Sequence, residues 1–154
     1  MRLPRHRLVA PAAARHRIAV EQVAAFVAHA VRALPREASG LLVADRAAML
    51  TFVPTAGRAN TRRSFYISAG EIAAVTARLR GSGSAIAGCA HSHPCGSAVP
   101  SRHDRGSAEA ARRLWLIYSV RRRELALFEW SGGGLRACAL EVVGDDGRSS
   151  FDSR

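Results

Sequence analysis

The chain has 154 residues, a length that suits one ordinary domain. Apolar residues make up 48%, enough to build a core, and no apolar run approaches the roughly 18–20 residues of a membrane span. The formal charge of +11 is carried wholly by arginine, and beside abundant alanine it reads as composition bias and a solvated basic surface, which argues against a dedicated grip on nucleic acid.

Residues 1–16 alternate arginine, proline and alanine and read as a loose basic extension without the apolar stretch of a secretory signal. From Ile18 to Leu34 the positions Val20, Val23, Ala24, Val27, Val31 and Leu34 recur at helical spacing, and Pro35 ends that helix. Ala38–Ala44 and Ala47–Pro54 follow as strands around an Asp45–Arg46 turn, then a polar loop over 56–63 and a short strand at Phe65–Ile67. Ser68 and Glu71 have capping-box spacing and open a helix to about Arg80. Ala85–Ala90 is a strand that runs into His91, and a helix begins at Pro100–Ser101 and ends near Arg113. Leu114–Val120, Glu124–Trp130 and Leu135–Val143 read as three strands separated by an arginine turn and SGGG. The expected architecture is α/β, a single domain over 17–144 with about three helices on a mixed, mostly antiparallel sheet of six or seven strands, followed by a polar tail over 145–154.

The chemistry concentrates in HSHPCGSAVPSRHD, residues 91–104. His91 and His93 sit two apart at a strand end, so an extended chain turns both imidazoles to one face. Two histidines alone are most simply polar residues at the end of a strand. Asp104 lies in the first turn of the next helix, where Ser101 and Asp104 are also a capping pair. A carboxylate there can swing back as a third ligand, and three protein ligands with one open position are the arrangement of a catalytic zinc. A closed site of Cys89, His91, His93 and Cys95 is excluded by reach: four alternate residues of a straight strand spread over roughly 20 Å. Cys89 and Cys138 read as small buried hydrophobes. Three cysteines do not make a disulfide framework and fit a reducing, cytoplasmic setting.

His91-Ser92-His93-Pro94, a six-residue spacer and Ser101-x-x-Asp104 resemble the zinc motif of the JAMM (MPN-plus) metalloprotease family, and PREASGLL (35–42) resembles that family's glutamate segment. The resemblance spans residues 18–143, with Ser39 where many members carry cysteine. It implies an MPN-like fold and a Zn²⁺ held by His91, His93 and Asp104. It implies Glu37 as general acid/base and Ser101 as hydrogen-bond donor to the oxyanion. By position alone, Glu37 is an exposed charge in the turn after Pro35. The implied activity is a peptidase or isopeptidase acting after the C-terminal Gly-Gly tail of a ubiquitin-like or sulfur-carrier protein, for which an acidic partner would suit the basic surface. Two other functions compete: an inactive MPN scaffold, which usually lacks one of these five residues, and a nucleic-acid-associated relative of the fold, which reads HNHPSG-like and lacks the glutamate. His6, His16, His29 and His103 have no role in the motif, and Trp115 and Trp130 read as core.

Overall fold

The computed structural model describes residues 7–8, 16–105 and 113–144. The elements in chain order are β1 (Arg7–Leu8), β2 (His16–Ala19), α1 (Val20–Ala33), β3 (Ser39–Ala44), β4 (Met49–Pro54), α2 (Ala69–Arg78), β5 (Ala85–His93), α3 (Arg102–Arg105), β6 (Leu114–Ser119), β7 (Glu124–Trp130), β8 (Leu135–Cys138) and β9 (Leu140–Val143). All nine strands join one sheet in the order β1-β7-β6-β5-β3-β4-β2-β9, with β8 added on β7. The fold is the expected mixed α/β domain, with more strands than the six or seven expected. The long ladders β3–β4, β3–β5 and β6–β7 are antiparallel, and β5–β6 is parallel.

Three expectations need correction. Helical spacing from Ile18 conceals β2, which pairs in parallel with β4 and β9 and so trades local propensity for ladder bonds on both sides. Phe65–Ile67 is not a strand: the segment enters α2 as irregular backbone. The single last strand is two, broken at Ala139; β8 pairs with β7 and β9 with β2, near opposite ends of the strand order. Consecutive strands one residue apart can reach both places only if the sheet curls strongly round. Arg7–Leu8, inside the stretch read as a loose extension, pairs in parallel with Glu124–Leu125. Residues 1–6 and 9–15 of that stretch, residues 106–112, where the third helix is expected to continue, and the polar tail over 145–154 lie outside the described residues.

α1 shows how period sets the buried face. The buried residues are Val23, Phe26 and Ala30, whereas Val31 and Leu34 are exposed. A run in steps of four drifts about 40° per step round a helix, so the series Val23, Val27, Val31 leaves the core, while steps of three and four alternate back onto it. Phe26 packs on Phe52 with ring centroids 4.7 Å apart and on Tyr118 at 6.1 Å. α2 opens on the expected capping box between Ser68 and Glu71 and buries Val75 on the other side of the sheet, in a cluster with Leu41, Cys89, Trp115 and Ile117. Cys89 is in that core, as expected, and Cys138 is half-buried, with burial pushing its thiol up to about 11.

Two features of the sheet place the site. β3 runs antiparallel to β5 with Ser39 opposite His91, so the start of β3 lies beside the end of β5. Glu37, two residues before β3, is thereby brought to the histidines although more than fifty positions separate them in sequence. β5 also runs against β6 with no room between them: a Cβ on Gly88 would collide with the Leu114 carbonyl. Among the described residues no helix is long and apolar enough to cross a membrane.

Candidate metal centre

His91 and His93 end β5, and Asp104 comes from α3. One ligand atom from each lies within 4.8 Å of the other two. The two Nε2 atoms are 3.1 Å apart, and each is 3.4 Å from a different carboxylate oxygen of Asp104, Oδ1 for His91 and Oδ2 for His93. All three side chains are buried. This is the group the sequence nominates, and among the described residues it contains neither Cys89 nor Cys95, which is exposed.

Each ligand is held from behind. The His93 Nδ1–H donates to the Ser97 carbonyl at 2.8 Å. A carbonyl can only accept, so in the neutral imidazole that bond leaves the Nε2 lone pair facing the triad. His91 is held by packing: the Phe65 ring stacks on it at 4.3 Å and 15°, and Trp115 meets it edge-on at 5.7 Å. Its Nδ1 is buried without a hydrogen-bond partner. Asp104 is tied by the expected capping pair, in which the Ser101 N–H donates to Oδ2 at 2.6 Å and the Asp104 N–H donates to Ser101 Oγ at 3.2 Å. The cap therefore orients the carboxylate as well as opening the helix. Two imidazole nitrogens and a carboxylate, converging from two elements, with the His93 tautomer set by the Ser97 carbonyl and His91 held by ring packing, fit zinc.

The electrostatics follow from placing three ionisable groups out of water. Burial works against the Asp104 carboxylate, but hydrogen bonds from His91 and His93 outweigh it and hold the group well below the usual carboxylate range. Burial lowers His91. For His93, burial is overcome by the bonds to Asp104 and Ser97, and it is raised.

Glu37 is only 4% exposed, in contrast to the exposed charge its position after Pro35 suggests. Burial pushes its carboxyl up to about 8, with His93 opposing and Asp104 reinforcing that shift. Its Oε2 is buried with no hydrogen-bond partner, while its backbone is fastened: its N–H donates to the Thr61 carbonyl at 2.8 Å, and its carbonyl accepts from Asn60 Nδ2 at 3.0 Å. Asn60 also donates to Ser39 Oγ and accepts from the Tyr66 N–H, both at 2.8 Å. A cleft of about 420 Å³ is lined by Glu37, His93, Ser101 and Arg62, among others. Thus one cleft collects Glu37, Ser101 and an edge of the triad.

Sequence reasoning does not reach the supports: Phe65, Ser97 and Ser92, whose Oγ accepts the Ala38 N–H at 2.8 Å. Period two offers one signal, because it sends Ser92 to the opposite side of β5 from both histidines. His103 is exposed. His29 is half-buried, its Nε2 lying 3.2 Å from the Ser39 carbonyl.

The profile of a family described as prokaryotic homologs of the JAB domain matches residues 19–131. No curated protein sequence matches the chain. Among solved structures, a protein of Desulfitobacterium hafniense is similar with a TM-score of 0.70 and 24% identity, over 84% of this chain and 95% of that one. A JAB1/MPN domain protein from Archaeoglobus fulgidus is similar with a TM-score of 0.57 and 20% identity, over 85% and 100%. A structure described as a JAMM metalloprotease-like zinc site in the proteasome and signalosome has a TM-score of 0.53 and 17% identity, over 83% and 97%.

Proposed function

The chain belongs to the prokaryotic homologs of the JAB domain, and on that premise we propose that it is a zinc-dependent metallopeptidase or isopeptidase that hydrolyses the amide after the C-terminal Gly-Gly tail of a ubiquitin-fold or sulfur-carrier protein. The observation that carries the reading is a buried His91, His93 and Asp104 triad whose His93 shares one cleft with Glu37, a buried residue whose Oε2 has no hydrogen-bond partner. The metalloprotease-like zinc site reported for a similar fold supports zinc as the metal.

His91, His93 and Asp104 would hold the ion. Zinc bound there would supply a Lewis-acid charge that makes water acidic enough to react near neutral pH and favours the ionised form of Glu37. Glu37 takes a proton from the attacking water and delivers it to the leaving nitrogen, so the amide and water become a carboxylic acid and an amine. Its burial keeps the carboxyl basic enough for that exchange. Ser101 Oγ accepts the Asp104 N–H and retains its own hydroxyl proton, which it donates to the carbonyl oxygen as negative charge develops there. The nearly complete burial of the triad keeps bulk water from screening these charges.

The test is a ubiquitin-fold protein joined through Gly-Gly to a reporter, incubated with zinc-loaded enzyme and followed by mass spectrometry. Cleavage after the second glycine is expected, with about one zinc per chain. Equal cleavage when bulky residues replace both glycines would remove the specificity, and no cleavage of any amide by a zinc-loaded sample would remove the activity.

A further inference from the structure

Three arginines line the cleft that holds Glu37 and His93: Arg62 and Arg63 from the loop before α2, and Arg102 from the start of α3. All three are exposed, and among the described residues none pairs with a carboxylate, whereas Arg17 and Arg113 pair with Glu141 and Glu129. Arg62 and Arg63 are not on a slack loop. The Thr61 N–H donates to the Ser64 carbonyl at 2.9 Å, the Thr61 and Ser64 hydroxyls are 2.7 Å apart, and the Arg63 N–H donates to Thr61 Oγ1 at 3.2 Å. The carbonyl of the same Thr61 accepts the Glu37 N–H. The turn that presents two guanidiniums is therefore built onto the backbone of the acid/base residue. Arg102, from the other segment, follows Ser101 in the capped turn that fixes Asp104. Among the described residues the only carboxylate lining the cleft is Glu37, which is buried, so these residues present a net positive field to whatever enters.

Resting on the peptidase reading above, we propose that this cleft takes the leaving side of the substrate, and that the residue beyond the scissile amide presents a carboxylate to Arg62, Arg63 and Arg102. The side follows from the proton: Glu37 must reach the leaving nitrogen, and Glu37 lines this cleft. The ligand follows from the donors, since guanidinium forks match a carboxylate in two-point hydrogen bonding and discriminate it from a neutral amide. The carboxylate is either the α-carboxylate of a substrate's last residue, which makes the enzyme trim a single residue, or an acidic side chain just past the cleavage point.

The experiment uses three peptides bearing an N-terminal fluorophore: Ala-Ala-Gly-Gly-Ala with a free C-terminus, the same peptide amidated, and the amidated peptide with aspartate as last residue. Anisotropy measures their binding to the zinc-loaded Glu37→Gln protein, in which turnover is suppressed. At least one carboxylate peptide should bind about tenfold tighter than the neutral one, as for loss of one charged hydrogen-bond partner. That ratio should fall towards unity in the Arg62→Gln/Arg63→Gln pair and shrink in Arg102→Gln. A tighter free acid assigns the α-carboxylate; a tighter aspartate peptide assigns the side chain. Equal binding of all three, no binding of any, or a preference untouched by the arginine substitutions overturns the proposal. A carboxylate preference without cleavage by the wild-type protein would leave the cleft as assigned and defeat the peptidase reading, while cleavage without a preference would do the reverse.

Discussion

Ala38 and Ser92 grip each other across the site: the Ala38 N–H donates to Ser92 Oγ at 2.8 Å, and the Ser92 N–H donates to the Ala38 carbonyl at 3.0 Å. Ala38 follows Glu37, and Ser92 sits between the two histidine ligands. The pair therefore sets the spacing between the segment that carries Glu37 and the two histidines. Ser92→Ala leaves the Ala38 N–H buried without a partner, which costs about 1–3 kcal/mol. Denaturant unfolding should show that loss, and Ser92→Thr, which keeps the hydroxyl, should recover most of it.

Glu37→Gln tests the acid/base role. Glutamine has the same size and still hydrogen-bonds water, but it cannot take a proton. Positioned acid/base groups contribute about 10²–10⁴-fold, so turnover of a Gly-Gly fusion should fall by at least about a hundredfold. Zinc content should match wild type, because Glu37 is not one of the ligands. Near-normal turnover would reject the mechanism even with the metal site intact.

Asp104→Ala leaves two imidazoles and removes the charge that both face. Bound zinc, measured by elemental analysis after dialysis, should drop from about one per chain to a small fraction. The Cys89→Ser and Cys95→Ser proteins should keep theirs. Retention in the aspartate variant with loss in the cysteine variants would mean the ligands are wrong.

The raised carboxyl of Glu37 gives the metal-free protein a pH signature. Its ordinary value is 4.5 and burial lifts it to about 8, so the folded state keeps a proton that the unfolded chain releases. That contribution is fully present below 4.5 and is lost as pH rises to about 8. With a chelator present, wild type should lose more stability than Glu37→Gln over that interval, by thermal melts at matched ionic strength. Parallel curves for the two proteins would show that Glu37 is solvated.

What the sequence determined by itself is the local part: the capping boxes at Ser68 and Ser101, the strand that carries His91 and His93 on one face, and the spacing that offers Asp104 as a third ligand. These depend on periods of 2 and 3.6 residues and on hydrogen bonds spanning three positions, so neighbouring residues suffice to specify them. The hidden strand His16–Ala19 and the break at Ala139 were not legible, because each is decided by which distant strand supplies the ladder partners. Glu37 shows the same division most sharply. Its surroundings in the chain describe an exposed turn, and only the antiparallel register that sets Ser39 against His91 buries it beside the triad. Burial and the electrostatic shift that follows are properties of what surrounds a side chain in space, and here the tertiary structure alone decided them.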